Sequence, residues 1–148
     1  MRTREPVIDM VFRKLGGREV FGKEASSEAD LAHLVRHRLS LKVLAFLSER
    51  GGFSDQEISR FVIPERTQRH RMANQQPLTV EESDRAVRLA RIQSMAEDVF
   101  ADVEKANRWL REKLGILDGT APLEVAQTET GARVVERILA KIDWGAAA

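Results

Sequence analysis

The chain has 148 residues, 43% of them hydrophobic, which suffices for one ordinary domain or two small ones with a core. Lysine and arginine total 24 against 23 aspartates and glutamates, so any grip on nucleic acid must come from a local patch rather than from bulk charge. Cysteine is absent, which excludes disulfides, thiolate nucleophiles and Cys-ligated metals, and no run approaches the ~18 apolar residues of a membrane span.

Aromatics make up 5% of the chain, tyrosine is missing and β-branched alternation is scarce, so the elements are expected to be helices throughout. Residues 1–28 read as a lead-in with one short helix over Val7–Leu15. The basic start lacks the unbroken apolar stretch of a signal peptide, which predicts a cytoplasmic chain. Ser27, with Asp30 three residues on, predicts a helix to about Arg36. In "LSLKVLAFLSERGG" Leu41, Leu44 and Leu47 share a helical face, and Gly51-Gly52 ends it. "SDQE" from Ser54 to Glu57 is a capping box that opens a short helix buried through Ile58, Phe61 and Val62. Pro64 breaks the chain after that helix and is suited to start the next, over Pro64–Asn74.

Thr79 and Glu82 form a second capping box at the start of a long helix. Its apolar stripe runs through Leu89, Ile92, Ala96, Val99, Phe100 and Val103 at spacings of three and four. "VEKANRWLREKLG" predicts a shorter helix ended by Gly115, followed by a loop around Gly119 and a turn or two of helix from Pro122. Thr128 opens a terminal helix with Val134, Val135, Ile138, Leu139 and Ile142 on its apolar side. The chain then stops in Trp144, Gly145, Ala146, Ala147 and Ala148. A free end in water is usually polar, so a small, apolar end suits insertion into a cleft on another molecule.

"RFVIPERTQRHR" concentrates Arg60, Arg66, Arg69 and Arg71 against Glu65, mostly on the second of two short helices joined by a tight turn. That is the layout of a helix-turn-helix whose second helix enters the major groove. Arg66, Thr67, Gln68, Arg69 and Arg71 form the candidate DNA-reading set, since Arg reads guanine edges, Gln reads adenine, and Thr offers a hydroxyl and a methyl. Arg85, Arg88 and Arg91 on the following helix would extend the footprint. The competing account is a solvated basic face.

Catalytic chemistry has little to stand on. His33 and His37 share a helix face at i, i+4, but two ligands do not fill a metal's coordination shell. The paired glycines lack phosphate-loop spacing, and the run Glu97, Asp98, Asp102, Glu104 reads as a solvated face. No catalytic residue, metal or cofactor is assigned.

The C-terminal residues resemble a known family. Trp109-Leu110, Gly119-Thr120-Ala121-Pro122-Leu123, Thr128-Glu129-Thr130-Gly131-Ala132-Arg133, Val135-Glu136, Leu139, Ile142 and Gly145 follow the order and spacing of the Xre/MbcA/ParS antitoxins, partners of RES-domain toxins. Arg66-Thr67 and the stretch from Leu78 are also similar, and the resemblance covers about residues 38–148. It implies an all-α chain with a helical Xre-type helix-turn-helix domain over 29–100 and a small helical toxin-binding domain over 101–148. It also implies an antitoxin that covers the active site of an NAD-consuming RES toxin, binds its own operator DNA as a homodimer and represses its operon. By the same resemblance Arg133, Arg137, Lys141, Trp144, Gly145, Ala146, Ala147 and Ala148 face the toxin. The chain departs from the family pattern at Trp144, where a His often stands, at Ala146 and Ala147, where bulky apolar residues often stand, and at His37-Arg38-Leu39-Ser40, which replaces a Gly-Leu-Pro. The alternative function is a homodimeric transcription regulator with a C-terminal dimerisation domain and no toxin.

Overall fold

The structure is a computed structural model describing residues 4–23 and 27–147, with side chains described as far as Gly145. Ten α-helices follow one another among these residues: α1 Val7–Lys14, α2 Arg18–Phe21, α3 Glu28–Arg36, α4 Lys42–Gly51, α5 Asp55–Phe61, α6 Glu65–Ala73, α7 Val80–Phe100, α8 Val103–Arg111, α9 Pro122–Val125 and α10 Glu129–Ala147. No strand occurs among them, and a short 3-10 turn covers Gly115–Leu117.

Two packing units divide the chain. Residues 8–90 form one; residues 91–148 form the other together with residues 1–7. The sequence reading places the division after residue 100, whereas packing changes over between Ala90 and Arg91, inside α7. An unbroken helix offers the sequence no mark at that point.

In the first unit the core joins Met10, Val11, Phe12 and Leu15 to Leu31, Leu39, Val43, Leu47, Phe53, Ile58, Phe61, Ile63 and Leu78, all nearly or fully buried. The stretch 1–28, read as a lead-in, thus contributes core residues, and Lys14 is also withdrawn from solvent. The anticipated stops and starts have physical partners. The Ser27 side chain accepts from Asp30 N at 3.1 Å, and Gly52 ends α4 at φ 74, a left-handed conformation that costs glycine little. Between α3 and α4 the non-glycine Arg38 sits at φ 66. Its guanidinium Nε donates to Leu78 O at 2.8 Å, while Leu78 N donates to Leu39 O and Leu39 N to Ser83 Oγ, both at 2.9 Å. These bonds hold the turn at the left-handed residue.

In the second unit Ile92, Ala96, Ala106, Leu110, Leu123, Ala126, Ala132, Val135 and Leu139 are buried. The approach of α10 to α9 depends on Gly131: a Cβ there would stand 1.8 Å from Val125 O. Helix α8 stops at Arg111, before the expected Gly115. Glu112 turns extended, so that Leu114 can pair with Thr120 across a tight loop. That loop is closed by Leu114 N to Thr120 O at 3.3 Å, Gly119 N to Leu114 O at 2.9 Å and Asp118 N to Gly115 O at 3.0 Å. The run Glu97–Glu104 does more than face solvent: Asp98 takes a forked bond from Arg4, and Asp102 caps α8 by accepting from Lys105 N.

Candidate functional site

Two surfaces carry the candidate residues. In the unit of residues 8–90, the Ser54 hydroxyl accepts from Glu57 N at 3.1 Å and the Glu57 carboxylate accepts from Ser54 N at 3.0 Å, completing the capping box of α5. The turn into α6 is held from several sides. Ser59 Oγ accepts from Glu65 N at 3.0 Å, Gln68 Nε2 donates to Ile63 O at 2.9 Å, and Arg85 Nε donates to Val62 O at 3.0 Å. Buried Phe61, Val62 and Ile63 sit beneath it, whereas α6 itself buries no side chain. A polar helix with so little packing of its own keeps its position through these bonds.

The sequence-derived DNA-reading set divides here. Arg66 and Arg69 are exposed and Thr67 is half-buried. Gln68 is committed to the α5–α6 turn. Arg71 makes a forked contact with the buried Glu82 of α7 and also donates to Pro77 O at 3.3 Å. Glu82 completes the capping box of α7 by accepting from Thr79 N at 2.8 Å. Burial pushes the pKa of Glu82 up. The hydrogen bonds from Arg71 and Thr79, with the charge of Arg71, outweigh that and hold its carboxyl below the usual carboxylate range. Two members of the set therefore fasten α6 in place, and two present free guanidinium groups. Of the flanking arginines, Arg85 is spent on Val62 O, and Arg88 pairs with Asp84 at 3.0 Å. Beside α6, a groove of about 1360 Å³ is lined by Leu41, Ala45, Ser48, Gln56, Ser59 and Met72, among others.

The second surface lies on α10. Arg133, Arg137 and Lys141 recur at i, i+4 and i+8 and are exposed, and Trp144 continues the stripe with 79% of its surface open to solvent. Gly145 is exposed, Ala146 and Ala147 lie on the last turn of the helix, and Ala148 lies outside the described residues. Next to this stripe, half-buried Val134, Ile138 and Ile142 face Ile116 and Leu117 of the 114–120 loop across a groove of about 420 Å³. Ile116 is 73% exposed. The sequence offers Leu117 as a packing partner of the terminal helix but gives no signal for Ile116, because an apolar residue between Gly115 and Gly119 reads as a turn filler. The end of α10 is tied down by Arg4, which bonds Asp98 at 2.7 and 3.0 Å and Asp143 at 3.3 Å.

Among the described residues no group of three or more His, Cys, Asp or Glu could hold a metal. The His33 and His37 rings lie 4.2 Å apart between centroids, tilted by 36°, and His37 Nδ1 bonds His33 O at 2.9 Å. No helix among the described residues is long and apolar enough to cross a membrane.

Comparison with known proteins agrees with this division. A family model described as the antitoxin Xre-like helix-turn-helix domain matches residues 30–91. A second, described as the antitoxin Xre/MbcA/ParS C-terminal toxin-binding domain, matches residues 95–145. Among curated proteins the chain is similar to Antitoxin Xre of Pseudomonas putida, 36% identical over 122 residues, which cover 82% of this chain and 76% of that one. It is similar to the Prs ADP-ribosylating antitoxin of a Sphingobium species, 37% identical over 83 residues, about half of each chain. Antitoxin Xre of Yersinia enterocolitica is 29% identical over 147 residues, 98% of both chains. With a helix-turn-helix unit whose α6 displays Arg66 and Arg69, a toxin-binding domain whose α10 displays Trp144, and a relative matched along most of both lengths, the chain belongs to the Xre/MbcA/ParS antitoxin family.

Proposed function

We propose that this chain is the antitoxin of a type II toxin–antitoxin pair. It binds a RES-domain, NAD-consuming toxin in the cytoplasm, covers the toxin's active site with the end of α10, and represses its own operon through α6. The observation that carries the reading is Trp144. A large aromatic that is 79% exposed, at the end of a helix already packed on its other face, is a costly thing to leave in water unless a partner covers it. Small residues after it, Gly145 and the alanines, allow close backbone approach to a cleft wall. A relative whose name couples an antitoxin to ADP-ribosylation supports a toxin that draws ADP-ribose from NAD. For DNA, a homodimer sets two α6 helices against the half-sites of a palindromic operator.

The test is to look beside this gene for one encoding a RES-domain protein and to co-express that protein with this chain. The full chain is expected to co-purify with it and restore growth, while a chain lacking Gly145–Ala148 or carrying Trp144→Ala does so poorly. Full neutralisation by both altered chains removes the active-site-covering mechanism, and failure of the intact chain to bind the toxin removes the antitoxin assignment.

A further inference from the structure

The groove between the 114–120 loop and α10 is a second docking element, separate from the chain end. We infer that it receives an apolar side chain of the toxin that is flanked by carboxylates, so that the antitoxin holds its partner at two places: the Trp144 end and this groove. The inference rests on the antitoxin reading above, which already has Arg137 and Lys141 face the toxin, and adds the apolar groove walled by Ile116 and Leu117 as the contact's other half.

The groove is built for an apolar visitor. Ile116, Leu117, Val134, Ile138 and Ile142 supply its walls, and its volume of about 420 Å³ accommodates one or two side chains. It is also preformed. The loop is closed by its own backbone hydrogen bonds, from Leu114 N to Thr120 O and from Gly119 N to Leu114 O, so Ile116 is presented without an ordering cost at binding. A turn that holds an isoleucine 73% exposed gains little for its own fold from that side chain.

Charge decides between occupants. Arg137 and Lys141 line the same groove, and among the described residues no carboxylate pairs with either. Arg133, one turn earlier, has among the described residues an exposed contact of 3.6 Å to Glu129, a weak pair easily exchanged for another. A second copy of this chain would meet the groove with the same patch, setting Arg137 and Lys141 against their own copies in a two-fold contact. A partner that brings an apolar tip between acidic residues meets no such repulsion. Every lining residue falls within 95–145, the part matched to a toxin-binding domain.

The experiment titrates the RES-domain toxin identified by the co-expression test above, made inactive by substitution, against the intact chain, against Ile116→Ser and against Arg137→Glu/Lys141→Glu. These side chains are exposed, so melting temperature and operator binding are expected to stay as in the parent. Toxin affinity is expected to fall about tenfold or more in each variant, mainly through faster dissociation, with the charge-reversed variant also losing its dependence on salt. If the intact chain binds while both variants stay within about twofold of it, the groove lies outside the interface and the inference fails with the antitoxin reading intact. If the intact chain itself does not bind, the antitoxin reading fails first and the groove with it. If Ile116→Ser instead dissolves a homodimer in sedimentation and leaves toxin affinity unchanged, a second copy fills the groove and the inference is overturned.

Discussion

Arg69 and Arg71 show how residues of one type, two positions apart, take different duties. Arg69 is free on the surface of α6, so Arg69→Ala is expected to leave the melting temperature unchanged. It should weaken operator binding and lower the slope of log affinity against log salt by about one, readable in mobility-shift titrations at several salt concentrations. Arg71 is bound to the buried Glu82, and Arg71→Ala strands that carboxylate. We expect a loss of about 3 kcal/mol in denaturant unfolding, with DNA binding falling only because the fold loosens; an unchanged midpoint refutes the structural assignment. The same pair sets a pH dependence. The carboxyl of Glu82 is held below its ordinary range, so its contribution is complete at neutral pH and is lost as pH falls through the lowered native value. Glu82→Gln should flatten the acid limb of a plot of melting temperature against pH. At Gly131 a methyl group has no room beside Val125 O, and Gly131→Ala is expected to cost about 2 kcal/mol or more, measured by urea unfolding.

At the scale of elements, most of the fold was legible. Capping boxes at Ser54/Glu57 and Thr79/Glu82, and the cap at Ser27, are local chemistry between residues three apart, so a sequence states them directly. The α5–α6 turn was readable from Pro64 and the buried Val62 and Ile63. What Gln68 and Arg71 do was not, because their partners Ile63 O and Glu82 are fixed by the bend of the chain, and residue type alone makes them look like DNA readers. The end of α8 was missed for a related reason: the pairing of Leu114 with Thr120 pulls the chain out of the helix before the glycine that looks like its stop. The terminal helix was anticipated, though its continuation through Gly145 to Ala147 puts the residues proposed to face the toxin on a helical turn. Trp144→Ala is therefore expected to keep the helical circular-dichroism signal intact while weakening toxin binding by about 2 kcal/mol; unchanged affinity removes Trp144 from the interface.

For the whole molecule, Arg66 and Arg69, proposed to face DNA, and Trp144, proposed to face the toxin, belong to different packing units. The double variant Arg69→Ala/Trp144→Ala is expected to lose operator affinity and toxin affinity by the same factors as the single variants, with departures below about 0.5 kcal/mol in a double-mutant cycle. The boundary at Ala90/Arg91 was hidden in the sequence because α7 crosses it without a glycine or proline. The place of residues 4–7 was hidden because Arg4 finds Asp98 and Asp143 far along the chain. That last arrangement has a consequence for synthesis. Residues 4–7 are translated before residues 8–90, yet the partners of Arg4, Asp98 and Asp143, are translated after them. The unit of residues 8–90, which holds most of the stretch matched to a helix-turn-helix domain, has all its own residues before then, so on a nascent chain it can close before the unit matched to a toxin-binding domain.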